Sequence, residues 1–271
     1  MEERHARIIG VVITVGLICT AFFTKDTDIK QSLWGAAIGA SIATITALGG
    51  WVLRYRKQLK TIFQAMFIWN LRISCSYLYR IKVDDYYLLI KSRKHGKFQP
   101  VGGNFKRNKF SYRNLRKIEV KEDDKFSNGR RSNDDLRLYI RGYRLPQFLK
   151  WYNSPDKERE VSYDREFYEE LVEPGFFPSN LFKYPVIDFI KQVITPVRYS
   201  RYLKCFEVHI YDIVELCPTH VQQDFLSDLL KQGDGEDFKW ATSSTIRQQG
   251  YQEHKQSTPF EITDHSIEIL T

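Results

Sequence analysis

The chain has 271 residues, 41 Lys/Arg against 33 Asp/Glu, and a net charge of +8 that is distributed in blocks. Four cysteines (Cys19, Cys75, Cys205, Cys217) lack C-x-x-C spacing, which excludes a zinc ribbon or a disulfide framework and reads as small buried side chains in a reducing compartment. No G-x-S-x-G or G-x-x-x-x-G-K-[ST] occurs, and no helix-turn-helix, zinc-finger or ribonucleoprotein motif points to duplex nucleic acid.

Two uncharged apolar runs, 8–24 and 31–53, flank a short polar link at 25–30. At 1.5 Å per residue they reach about 26 and 34 Å against a hydrocarbon core of about 30 Å. This predicts a two-helix transmembrane hairpin within a first domain, 1–60. Trp34 and Trp51 near the ends of the second run suit the membrane interface. Arg54, Arg56, Lys57 and Lys60 outnumber Lys25 and Lys30, so the charge rule places both termini in the cytoplasm. Gly35, Gly39, Ala43 and Ala47 recur every four residues as a small-residue stripe suited to packing within or between subunits.

Residues 61–75 predict a connecting helix bearing Ile62, Phe63, Met66, Phe67 and Trp69. Residues 76–83 and 86–91 are β-branched and aromatic around Asp84-Asp85, a hairpin signal. From Tyr86 to Ile118 there are ten Lys/Arg and no acid, with Phe98, Phe105, Phe110 and Tyr112 interspersed. Such a lobe favours an anionic ligand, its cations meeting phosphates and its rings stacking bases. Lys106, Arg107 and Lys109, with Phe105, are the candidate contacts.

Further on, 121–135 reads as a polar loop, 136–140 as a strand and 146–152 as a short helix. A helix over 162–172 stops at Pro174-Gly175. Phe206, Val208 and Ile210 alternate with Glu207, His209 and Tyr211, a half-buried strand. Helical spacing recurs over 221–230, 242–249 and 263–270. The mixture predicts an α/β domain over 76–271.

The sharpest local signal is Arg165-Glu166-Phe167-Tyr168-Glu169-Glu170. A helix places Glu166, Glu169 and Glu170 on one side, where like charges repel unless a cation neutralises them. Mg²⁺ takes such oxygens and keeps waters for phosphates, whereas a solvated acidic face paired with Arg165 needs no metal.

The six residues 165–170 resemble the R-E-U-x-E-E core of the Nudix box, and Phe98-Gln99-Pro100-Val101-Gly102-Gly103 resembles the glycine pair that precedes it. That resemblance implies an α/β/α sandwich with a mixed sheet and, in hydrolytic members, Mg²⁺ on the helix glutamates. Trp151 and Lys157 stand where the family pattern has Gly and Glu, and more than 60 residues separate Gly103 from Glu166. The whole arrangement is similar to the two-transmembrane Nudix effectors of bacterial CBASS antiphage operons. The resemblance implies a bacterial inner-membrane protein whose cytoplasmic domain binds a cyclic oligonucleotide made by a CD-NTase. The spans, assembled as a homo-oligomer, then damage the lipid bilayer, and no cofactor is required. The rival expectation is a membrane-anchored, Mg²⁺-dependent Nudix hydrolase of a nucleotide; the displaced box residues favour the non-enzymatic effector.

Overall fold

The computed structural model describes residues 2–93, 95–108, 111–123, 134–154, 159–251 and 256–270, apart from the side chains of 2–11, 47–55 and 57. Lys109 and most of the loop expected over 121–135 therefore lie outside the described residues, as does the side chain of Ala47. Two compact units result, Met1–Lys60 and Thr61–Thr271.

The first unit holds α1 (Glu2–Phe23) and most of α2 (Thr27–Ala65). Asp26 starts α2 by accepting the Asp28 and Ile29 N–H groups at 3.0 and 3.2 Å, satisfying donors that a helix start leaves free. The helices meet through small residues: Ala21 and Ala37 are buried, and the Thr14 and Thr44 hydroxyls lie 3.3 Å apart. Phe22 packs edge-on to Trp34. Gly35, Gly39 and Ala43 are exposed on another face, and a Cβ added to either glycine would meet nothing within 4 Å.

Among the described residues no helix is long and apolar enough to cross a membrane. This corrects the two-span hairpin and, with it, the inner-membrane placement with both termini cytoplasmic.

In the second unit α2 ends at Ala65, and the chain enters β1 (Leu71–Arg80) where a helix over 61–75 was expected. Leu71, Ile73, Cys75, Tyr77 and Tyr79 are fully buried on one face of β1, and Arg72, Ser74 and Ser76 alternate with them. This period-2 pattern begins five residues before the expected strand start; the aromatic run 62–69 obscures it.

β1 pairs in parallel with β10 (Cys205–Leu216), from Leu71 opposite Phe206 to Arg80 opposite Glu215. The remaining strands are β2 (Lys82–Val83), β3 (Tyr86–Lys91), β4 (Phe98–Gln99), β5 (Gly102–Asn104), β6 (Lys121–Glu122), β7 (Arg137–Ile140), β8 (Ile187–Ile194), β9 (Arg198–Ser200) and β11 (Phe238–Thr242). One sheet runs β6-β7-β1-β10-β8, with β5 on β1 and β9 on β10; the other runs β11-β3-β2, with β4 on β3. The expected turn at Asp84-Asp85 joins β2 to β3, with Asp84 at φ 50°. The result is a mixed α/β fold with a curled mixed sheet.

The buried face of β1 packs with Val208, Ile210, Phe148 and Phe167 in the larger apolar cluster. Phe148 belongs to α4 (Leu145–Tyr152), and Phe167 closes α5 (Asp164–Phe167), which continues as π-helix over Tyr168–Val172. Leu78, Tyr211 and Ile213, on the other face, join Leu89, Ala241 and Ile269 in a second cluster. The fully buried Phe167 ring lies 5.4, 5.7 and 6.1 Å from those of Tyr79, Phe177 and Phe182. Truncating a buried Phe removes apolar contact and leaves a cavity, so Phe167→Ala is expected to cost about 3–5 kcal/mol in urea unfolding. A loss under about 1 kcal/mol would place Phe167 outside the core.

Candidate functional site

The face of β1 away from the larger cluster is apolar at Leu78 and polar at Ser74 and Ser76. Opposite the core, Ser74 and Ser76 lie in register with His209 and Tyr211 of β10. On the other side Ser74 is opposite Arg137 and Ser76 opposite Asn104. This polar floor opens into a cleft of ≈ 940 Å³, walled by the glutamate helix on one side and by Lys91, Arg93 and His95 at the end of β3 on another.

The glutamate helix is seated on β5 by its carboxylates. Gly102 N–H donates to Glu170 Oε2 at 3.1 Å, and Gly103 lies against Glu166 so closely that a Cβ there would run into the carboxylate. Gly102 has φ +156°, and a Cβ on it would strike the Tyr77 carbonyl. The glycine pair and the glutamates, far apart in sequence, therefore form one contact.

Arg165 locks that contact. Its Nε donates to Glu160 Oε1 at 3.0 Å, and Nη2 donates to Glu160 Oε2 at 3.1 Å and to the Asn104 carbonyl at 2.8 Å. Nη1 pairs with Glu166 and reaches Glu169 at 4.0 Å. Desolvation disfavours the Arg165 charge, but Glu160 and Glu166 outweigh it and raise its pKa. Burial pushes the Glu166 carboxyl above its ordinary value, opposed by Arg165. Burial pushes Glu170 up to about 7, opposed by the Gly102 N–H.

These carboxylates are engaged within the protein. Among the described residues no group of three His, Cys, Asp or Glu side chains is placed to hold a metal ion. The π-helical turn, in which Glu173 N–H donates to the Tyr168 carbonyl at 2.8 Å, changes the angular step between Glu166 and Glu170. Glu166 is committed to Arg165, Glu170 to Gly102, and Glu169 lines the cleft with a side chain 36% exposed.

The floor ends in parallel rings. His209 and Tyr211 lie 5.6 Å apart with planes 9° from parallel, and His265 continues the row 6.0 Å from Tyr211. His209 pairs with Glu207 at 3.2 Å. Burial, with lesser contributions from His209 and His95, holds His265 down at about 4, so its ring is neutral at pH 7.

Of the contacts named from the sequence, the described ones, Phe105, Lys106 and Arg107, are placed outside the cleft. Phe105 is fully buried, its ring 4.9 Å from that of Tyr77, so it cannot stack a ligand base. Lys106 pairs with Asp135 at 3.1 Å, and Arg107, with a side chain 5% exposed, pairs with Glu122 at 2.6 Å. The acidic part of the chain folds back and neutralises this stretch. Lys91 and Arg93, from the same basic segment, are exposed in the cleft and form no ion pair with another described residue. Their signal was position: they follow the hydrophobic part of β3 at its open end. His209 and Tyr211 were legible as the polar positions of an alternating strand.

A curled mixed sheet with a glycine pair seated under a glutamate-bearing helix defines a Nudix-like domain. The model of the SMODS-associated NUDIX domain matches residues 70–270, and the chain belongs to that family. Membership links it to CD-NTase signalling and to CBASS-associated defence. No curated protein and no solved structure gives a significant match.

The raised Glu170 pKa has a consequence for stability. Folded Glu170 keeps its proton up to about 7 whereas the unfolded carboxyl loses it near 4.5. Its stabilising contribution is complete below the lower value and lost as pH rises through the upper one. Glu170→Gln should therefore gain about 2 kcal/mol relative to the parent between pH 5 and pH 8, read by urea unfolding. A stability difference independent of pH would show that Glu170 ionises normally.

Proposed function

We propose that residues 61–271 form a sensor that binds a cyclic oligonucleotide made by a CD-NTase in the cleft, without hydrolysing it. The observation that carries this reading is one cavity combining unpaired cations with a floor of parallel rings. Lys91 and Arg93 meet the phosphates, and the part-exposed His209 ring at the end of the row meets a base. At ≈ 940 Å³ the cleft suits a ligand larger than a mononucleotide.

A sensing role also agrees with the state of the glutamates. A carboxylate neutralised by Arg165 and another that favours its proton near pH 7 are poor metal ligands but good structural supports. The ligand acts by binding one state of the chain better than another. Assembly of copies around the cyclic ligand is the response assigned to it.

Calorimetry of the full chain against a panel of cyclic di- and trinucleotides tests the reading. Arg93→Glu should weaken the bound member by about tenfold or more, and Lys106→Met, whose charge serves Asp135, should change it by about twofold at most. The bound nucleotide should remain intact by mass spectrometry after long incubation. No binding across the panel, or linear product with Mg²⁺, would overturn the sensor reading; the latter would establish a hydrolase.

A further inference from the structure

Lys91 and Arg93 line the cleft from the end of β3, and Glu169 and Glu170 line it from the glutamate helix, with the His209–Tyr211 rings in the floor. The charges act on one another: Arg93 on Glu170, and Arg165, 4.0 Å away, on Glu169. A ligand group that reaches Glu169 is matched best by hydrogen-bond donors.

The Glu169 carboxylate still has accepting capacity. Glu169 has no hydrogen bond from another described residue, only the 4.0 Å approach of Arg165. Glu170 accepts from Gly102 through Oε2 alone. An ionised carboxylate only accepts hydrogen bonds, and its two oxygens suit a pair of parallel donors.

Resting on the cyclic-oligonucleotide reading, we propose that the carboxylate wall selects a guanine base, with Glu169 receiving the N1–H and N2–H₂ donors of its Watson–Crick edge. Guanine alone among the common bases presents two adjacent N–H donors there. Adenine and cytosine set a donor beside an acceptor, and uracil flanks its single donor with carbonyl oxygens that the carboxylate repels. Selectivity follows because a mismatched edge leaves the carboxylate desolvated and unpaired. Glu169 is thus a specificity-determining residue, while Lys91 and Arg93 supply attraction common to every member of the class.

Calorimetric titration of the full chain with cyclic di-GMP, cyclic di-IMP, cyclic di-AMP and cyclic di-UMP tests this. The inosine ligand differs from the guanine one by the 2-amino group alone. Cyclic di-GMP should bind about tenfold or more tightly than each of the others, because each leaves at least one oxygen of Glu169 unmatched. Glu169→Gln should lose that preference while keeping its affinity for cyclic di-AMP, a result that also shows that the variant is folded. Equal binding of the guanine and inosine ligands, tighter binding of cyclic di-AMP, or an unchanged preference in Glu169→Gln would overturn the assignment and leave the sensor reading standing. If none of the four binds, the assignment fails; if the wider panel is silent as well, the sensor reading fails with it.

Discussion

Arg165 is the interaction on which the geometry of this domain depends. One guanidinium joins Glu160, Glu166 and the Asn104 carbonyl, so it ties the glutamate helix to the end of β5 and to the segment preceding the helix. Taking several charged groups out of water is tolerable here because almost every donor of the planar fork has an acceptor. Removing the arginine would leave Glu160 and Glu166 half-buried without their cation, so a substitution there is expected to be more disruptive than loss of a surface pair. The glycine pair completes the seat: only a residue without a Cβ lets the carboxylate of Glu166 lie directly over the strand.

That seat decides what the glutamates can do. A helix held by its own carboxylates has spent much of their accepting capacity internally, and the π-helical turn spreads what is left. The same side chains that resemble a hydrolytic motif therefore make one wall of the cleft. Its opposite wall is supplied by the end of β3, and its floor by the outward faces of β1 and β10. Strand alternation produces both the dry core and the polar floor, since consecutive side chains of β1 point to opposite faces.

Local patterns were legible in the sequence. The alternation in β10, the turn at Asp84-Asp85, the short α4 and the glutamate helix each rest on neighbours close along the chain. The glycine pair and the R-E-U-x-E-E run were legible as motifs, but their meeting across more than 60 residues is a tertiary fact. Long-range charge pairing was hidden as well. The sequence shows ten cations in a row of segments, and only the fold reveals that Lys106 and Arg107 are neutralised by Asp135 and Glu122 while Lys91 and Arg93 reach the cleft. β8 had no signal because as an edge strand it is part-buried along most of its length, without a buried–exposed alternation. In the first unit, apolar composition predicted spans that the described helices do not supply.

The proposed recognition of a nucleotide by the side chains of the cleft should not need a divalent cation. The decisive measurement is the affinity of the full chain for its best-bound cyclic nucleotide, in EDTA and in millimolar Mg²⁺ at equal ionic strength. Equal affinity in the two buffers is the result expected of a glutamate helix that serves as a structural wall. Binding that disappears in EDTA would contradict it and return the glutamates to the role of metal ligands.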